Sequence, residues 1–233
     1  MTEFPGPRVT IGEGELLRRK LDVVLPELAG ATQRFLADPR ISDLYAEYLF
    51  SSHCIARASV PLMQTARERA LGMGEEDPLG AALATYLAGH IVEEMGHDEW
   101  FLEDLDVLGW DRSEILARPP SATVASMVGA QYYWVLHYHP VALLGFLTAL
   151  ESHPPSRSLI DELISRTGHP PKAFRTLIEH ADLDPHHTEE LYGLLDDLPL
   201  TREQSTMLGL SGIHTLHMTA VSIEEMVGVA VSF

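Results

Sequence analysis

The sequence predicts an all-α protein, a single-domain bundle of seven to eight helices. Three observations carry that reading. Apolar residues recur at helical spacing along most of the chain. No apolar–polar alternation of strand type persists beyond a few residues, and no Asn-Gly or Asp-Gly hairpin turn occurs. Prolines and glycines punctuate the chain at intervals that suit helices rather than strands.

Residues 1–10, MTEFPGPRVT, contain proline and glycine and are expected to be poorly ordered. The domain is expected to occupy 11–233. Leu16, Leu17, Leu21, Val24, Leu25 and Leu28 share one helical face, with Pro26 marking a bend or short break. Asp38-Pro39-Arg40 forms a turn, and Ser42 is placed to cap a helix running to about Gly72, kinked at Pro61. Asp77-Pro78 opens a third helix that continues to Leu108, with Gly109 as its stop. A short helix follows at 112–117. Residues 121–152 read as helical with a kink at Pro140, and 157–166 as a further helix. Pro171 opens the next one, and Thr201 caps the last, which runs to about Val227.

Composition limits the function. The 233 residues carry a formal net charge of -18, which disfavours nucleic acid and anionic membrane surfaces as partners. The most apolar run, Val141 to Leu150, is too short to span a bilayer, and the N-terminus lacks the pattern of a signal peptide. The single cysteine, Cys54, excludes an internal disulfide and suits a reducing compartment. A cytoplasmic protein is expected.

The chemistry concentrates in two stretches. In His90-Ile-Val-Glu-Glu-Met-Gly-His97, His90, Glu94 and His97 follow i, i+4, i+7 spacing, so an unbroken helix projects all three from one face. The pattern recurs as His180, Asp184 and His187. Histidine and carboxylate without thiolate suit iron, manganese or zinc. Six side chains exceed the needs of one tetrahedral ion and are better used by a dinuclear site. Such a site wants a carboxylate from a third helix. Glu151 is the candidate, as the only acid between 121 and 152. Glu94-x2-His97 and Asp184-x2-His187 also echo the Glu-x-x-His arrangement of ferritin-like bundles, the alternative architecture. Asp184-Pro185 reads locally as a helix start and is expected to interrupt the second triplet. The segment is then less rigid than an unbroken helix and is expected to order on metal binding.

Other polar residues carry weaker signals. Tyr132 and His137, in the aromatic stretch before Pro140, and Arg57, on one face of its helix with His53, are candidates to contact a substrate. His186 is expected at the surface, and His214 and His217 in supporting roles.

HIVEEMGH, the Leu-Glu151 pair and EHADLDPHH together resemble the heme-oxygenase-like di-iron oxidases. Relatives in that group include N-oxygenases, oxidative decarboxylases and amino-acid-fragmenting enzymes. The resemblance places that group's late ligand set on His180, Asp184 and His187, its middle-helix glutamate on Glu151 and its first-helix histidine on His97. The chain departs from the pattern at His90, where relatives often carry glutamate; Glu94 is the residue to supply that carboxylate. The resemblance implies two Fe(II) per chain, O2 as co-substrate, and Glu151 and Glu94 as catalytic carboxylates. It also implies oxidation of a small, amino-acid-like metabolite by N-oxygenation, desaturation or oxidative cleavage. A homodimer is possible. The competing reading is a heme-oxygenase-like or ferritin-like helical protein that binds a small molecule or stores metal without O2 chemistry.

Overall fold

The computed structural model describes residues 11–228, so the expectation for residues 1–10 lies outside them. Among the described residues the chain forms eleven α-helices, no strands and one domain. The helices are α1 (Glu13–Asp22), α2 (Leu25–Ala37), α3 (Ile41–Leu71), α4 (Gly80–Glu94), α5 (His97–Val107), α6 (Arg112–Ala117), α7 (Ala122–His137), α8 (Ala142–Glu151), α9 (Arg157–Thr167), α10 (Arg175–Asp197) and α11 (Arg202–Val227). Two 3-10 turns, Gly74–Glu76 and Pro171–Phe174, lead into α4 and α10.

The helix count exceeds seven to eight because three segments divide, at the short break expected near Pro26 and at two points expected to be continuous. Around Pro26 the chain stops after Asp22 and restarts with Pro26 in the first turn of α2, where its missing N–H costs nothing. Pro140 separates α7 from α8 rather than kinking one helix. The helix expected over 77–108 divides at Gly96, whose φ of 93° is a left-handed conformation suited to glycine.

Two local signals were overridden. Asp184-Pro185 does not interrupt its helix: α10 runs through Pro185, whose ring is exposed. The interruption expected there is therefore not found. Nor does Ser42 cap α3. That helix begins at Ile41, and the Ser42 hydroxyl stands 3.3 Å from His169 Nε2.

Other end signals hold. Thr201 and Gln204 form a reciprocal capping box at α11, with Oγ1 accepting from the Gln204 amide at 3.2 Å and Oε1 accepting from the Thr201 amide at 2.8 Å. Ser121 and Ser156 cap α7 and α9 through their hydroxyls. Asp77 accepts amide hydrogen bonds from Leu79 and Gly80 just before α4.

The apolar side chains form two buried clusters. The first includes Leu17, Leu62, Leu87, Phe146, Leu191 and Leu208. The second includes Phe35, Tyr45, Leu49, Leu102, Phe174 and Leu177. Each fully buried aliphatic or aromatic side chain contributes about 1.5–3 kcal/mol relative to exposure. Helix α10 joins the second cluster through Leu177 and the first through Leu191 and Leu195. His180, Asp184 and His187 lie between these anchors, so packing on both sides fixes the segment that carries them.

Candidate metal centre

The break at Gly96 changes how the first sequence triplet is used. His90 and Glu94 stand on α4, while His97 opens α5. The three do not make one cluster. His90 instead meets Glu151, at the end of α8, and His187 of α10, with one ligand atom of each within 4.8 Å of the others. Glu94 meets His97 and His180 in a second group under the same limit. Helices α4 and α10 therefore each supply one histidine or carboxylate to both groups.

The contacts inside each group are short. His90 Nε2 lies 2.9 Å from Glu151 Oε1, and His97 Nδ1 lies 3.1 Å from Glu94 Oε2. Two donors bonded to one ion at about 2.1 Å stand about 3 Å apart when their bonds are perpendicular, so these spacings suit shared ligation. His187 Nδ1 is 3.9 Å from Glu94 Oε1, which links the two groups. Glu93 reaches His90 Nδ1 at 3.4 Å from an exposed position, in keeping with an acid off the ligand face.

Asp184 belongs to neither group within that limit, yet it is buried on α10 between His180 and His187. Burial, then the charges of Glu151 and Glu94, push its carboxyl up to about 8. Burial also pushes Glu151 up, against the pull of His90. For His90, burial favours the neutral ring, but the Glu151 hydrogen bond and charge win and raise it to about 9. The His90–Glu151 pair therefore holds a proton over a wide pH range. Burial likewise pushes Glu94 upward, but the His97 contact and the charges of His90 and His180 outweigh it and hold it below its ordinary value.

Among the described residues, buried polar atoms left without a hydrogen-bond partner cluster here: Glu151 Oε2, Asp184 Oδ1, and the Nδ1 atoms of His90 and His187. An unsatisfied buried polar atom costs about 1–3 kcal/mol, so a concentration of them calls for a ligand. The donor set is nitrogen and oxygen only, which fits iron. Both observations fit a metal ion at these groups.

Supporting contacts orient the rings. His180 Nδ1 lies 2.8 Å from the Thr176 carbonyl oxygen; donation there leaves Nε2 as the ligand atom. The Trp100 ring stacks on His97 at 4.0 Å between centroids, and Tyr86 stacks on His90 at 5.4 Å. His53, buried on α3, stands 3.1 Å from the Asp98 carbonyl oxygen through Nδ1 and so steadies the start of α5. Neither Tyr86 nor Trp100 was identified from sequence. Their spacing was a usable signal, one helical turn from a histidine in each case.

A cavity of about 300 Å³ adjoins the centre, lined in part by Glu94, Glu151, His180 and Asp184. The three residues expected to contact substrate do not line it. Arg57 and His137 are exposed, and Tyr132 packs against the first apolar cluster. The aromatic run on α7 misled because a helix turns successive residues to different sides: Tyr133, its neighbour, is 64% exposed. His186 is exposed, as expected. His214 lies against Trp134, and His217 pairs with Glu27 at 2.9 Å.

The metal-free protein should lose stability as pH rises. Asp184 and His90 both have folded-state values above their unfolded ones. Their contribution is full below the unfolded values and is lost as pH passes through about 8 and about 9. Each such proton is worth about 1.4 kcal/mol per pH unit, so the two together should lower the melting temperature by roughly 10 °C from pH 6 to 8. Asp184→Asn should flatten that slope in thermal melts. A melting temperature independent of pH in the wild-type protein would contradict the assignment.

A helical domain with a buried histidine–carboxylate centre is the class that fold and site define. The chain belongs to the family of iron-containing redox enzymes, whose model matches residues 65–214. Solved structures agree on the fold, which is heme-oxygenase-like. A domain of unknown function with that fold from Shewanella denitrificans aligns with a TM-score of 0.72 and 20% identity, covering 91% of this chain and 89% of that one. A TenA homolog from Pseudomonas syringae pv. tomato gives 0.70 at 10% identity, over 98% and 99% of the two chains. A CADD-like protein of unknown function from Nostoc punctiforme gives 0.67 at 18% identity, over 92% and 97%. No curated protein matches the sequence significantly. No helix among the described residues is long and apolar enough to cross a membrane.

Proposed function

We propose that the protein is a non-heme di-iron enzyme that uses O2 to oxidise a small organic molecule. The observation that carries this reading is the pair of adjoining buried ligand groups, His90–Glu151–His187 and Glu94–His97–His180. Asp184, buried beside both and with a free carboxylate oxygen, completes the set. The family's description as iron-containing redox enzymes supports the choice of metal.

Bound iron would supply the electrons that reduce O2, and the protein supplies placement. His90, Glu151 and His187 would hold one ion; Glu94, His97 and His180 would hold the other. Stacking by Tyr86 and Trp100 and the Thr176 carbonyl keep the imidazoles in ligating orientation. Without metal, the His90–Glu151 contact holds a proton at Glu151 Oε1 or His90 Nε2, which ligation of iron by the pair would displace. The apolar walls of the adjoining cavity limit water near the centre.

Anaerobic loading with Fe(II), metal analysis and then O2-electrode measurements test the reading. About two irons per chain and O2 consumption that depends on them are expected. Iron uptake without O2 consumption would favour the metal-storage reading, and no uptake would remove both.

A further inference from the structure

Helix α7 carries an outer face without charge. Between Arg118 and Glu151 the chain has no Asp, Glu, Lys or Arg. For α8 that follows from burial, since nearly all its residues are inside. On α7 burial does not explain it. Val124, Met127, Gln131 and Val135 face inward, but Ala122, Ala125, Gly129, Tyr133 and Leu136 are exposed. Tyr133 is 64% and Leu136 46% accessible. At about 100° per residue these five fall within roughly 80° of arc, so they form one stripe.

Gly129 lies mid-way along this helix, where glycine is less favourable than alanine. An added Cβ would meet nothing within 4 Å, so packing inside the chain gives no reason for glycine at this position. Gly145 is the contrast, because there the backbone of α11 leaves no room. Gly89 and Gly193 are also open, but each has an exposed acid one turn away, Glu93 and Glu189. Gly129 alone of the three is flanked along its helix by an uncharged surface.

The stripe is divided at Gly129 into a small half and a large half. Ala125 and Ala122 lie four and seven residues before it, and Tyr133 and Leu136 lie four and seven after it. In an antiparallel pair with a two-fold axis at Gly129, Tyr133 covers the partner's Ala125 and Leu136 covers the partner's Ala122. The axis then repeats both contacts, as an isologous interface requires. Helix axes approach to about 8 Å where the side chains at the crossing are small, which glycine permits.

Charge favours the same occupant. Each copy carries a net charge of -18, so two copies repel over most of their surfaces. Contact through α7 brings no like charges of that helix together. Helix α7 is about 24 Å long and about 10–12 Å wide, a footprint of roughly 300 Å². Stable dimers bury about 800 Å² per partner, so α7 needs its flanks. Tyr138 follows it directly, and Leu210 lies one turn from His214, which touches Trp134 of α7. Both are exposed and apolar.

We propose that two copies of this chain associate through α7, antiparallel, on a two-fold axis at Gly129. The metal groups stand on α4, α5, α8 and α10, so the pairing is independent of the chemistry they support. The modest area makes it a concentration-dependent dimer.

Sedimentation velocity of the full-length protein, from about 1 to about 200 µM, should show the mass rising from one chain to two. Raising salt to about 0.5 M should tighten the dimer, because it screens repulsion between acidic copies. Gly129→Glu sets like charges at the axis and should weaken association at least about tenfold, with no fall in the melting temperature of the dilute protein. Gly129→Cys, in a Cys54→Ala background, should give a disulfide-linked dimer on mild oxidation, since two Cα atoms at the axis can come within about 7 Å. Gly193→Cys, equally open but on α10, should not. A single-chain mass at every concentration would overturn the proposal. So would a dimer that Gly129→Glu leaves intact, or cross-linking no greater at Gly129→Cys than at Gly193→Cys. Should Gly129→Glu fail to fold, the comparison of the two cysteine variants decides.

Discussion

Glu151→Ala is expected to lower iron content from about two per chain to one or fewer and to cut iron-dependent O2 consumption by at least about 100-fold. Glu151 sits at the last residue of α8, buried, with Oε1 2.9 Å from His90 Nε2 and Oε2 without any partner. Removing it deletes a ligand and takes away the carboxylate that His90 Nε2 meets, leaving the exposed Glu93 as the acid beside that ring among the described residues. His187→Ala should have the same effect, because its group has only three members. Two controls sharpen the experiment. Glu151→Gln keeps the shape but loses the charge, and should recover little iron. His186→Ala alters the exposed imidazole next to His187 and should leave iron content unchanged. Wild-type iron content in Glu151→Ala would remove that residue from the centre.

The second large effect is expected from a residue that carries no chemistry. Gly145 lies mid-way along α8, where that helix meets α11. A Cβ there would fall 2.2 Å from the Leu208 carbonyl oxygen and 2.9 Å from the Gly212 amide nitrogen. Both are backbone atoms of another helix, so no side-chain rotation can relieve the clash. Alanine gains about 1 kcal/mol in helix propensity over glycine, while forced separation of packed elements costs about 1–3 kcal/mol and sometimes more. Because the intruding distance is so short, the upper end applies, and Gly145→Ala should destabilise by about 2 kcal/mol net. That corresponds to a fall of roughly 4–8 °C in melting temperature for a chain of this size. Thermal melts of the metal-free protein decide it: a value within about 2 °C of wild type would show that α8 and α11 can separate without loss. Since α8 ends in Glu151, the same variant should also bind iron less tightly.

Sequence reasoning reached the all-helical class and most helix ends, and it named the six residues that the structure gathers into two groups, for reasons that differ in strength. The capping residue Thr201 acts on an amide within three positions, so its effect is visible locally. The apolar periodicity that marks 77–108 as helical is equally local, but it reports a face and not continuity. Gly96 lies inside that periodic run, and its left-handed backbone conformation, which periodicity does not report, makes the break that puts His97 on α5. Asp184-Pro185 is the opposite case. A local start signal lost to packing on both sides, where Leu177 and Leu191 anchor one continuous helix. The cavity was the least legible feature. Its walls come from six or more helices, and ordinary leucines and phenylalanines become a chamber only by what they surround.

The interleaving of ligands across α4 and α10 has a consequence for how the protein can change. Each of these helices feeds both ligand groups, so the two half-sites are not separable modules. Inserting or deleting one residue in α10 between His180 and His187 would rotate one ligand by about 100° relative to the other. One group or the other would then be lost, whichever end of the helix stayed anchored. The seven-residue interval from His180 to His187 is thereby fixed as a unit of length.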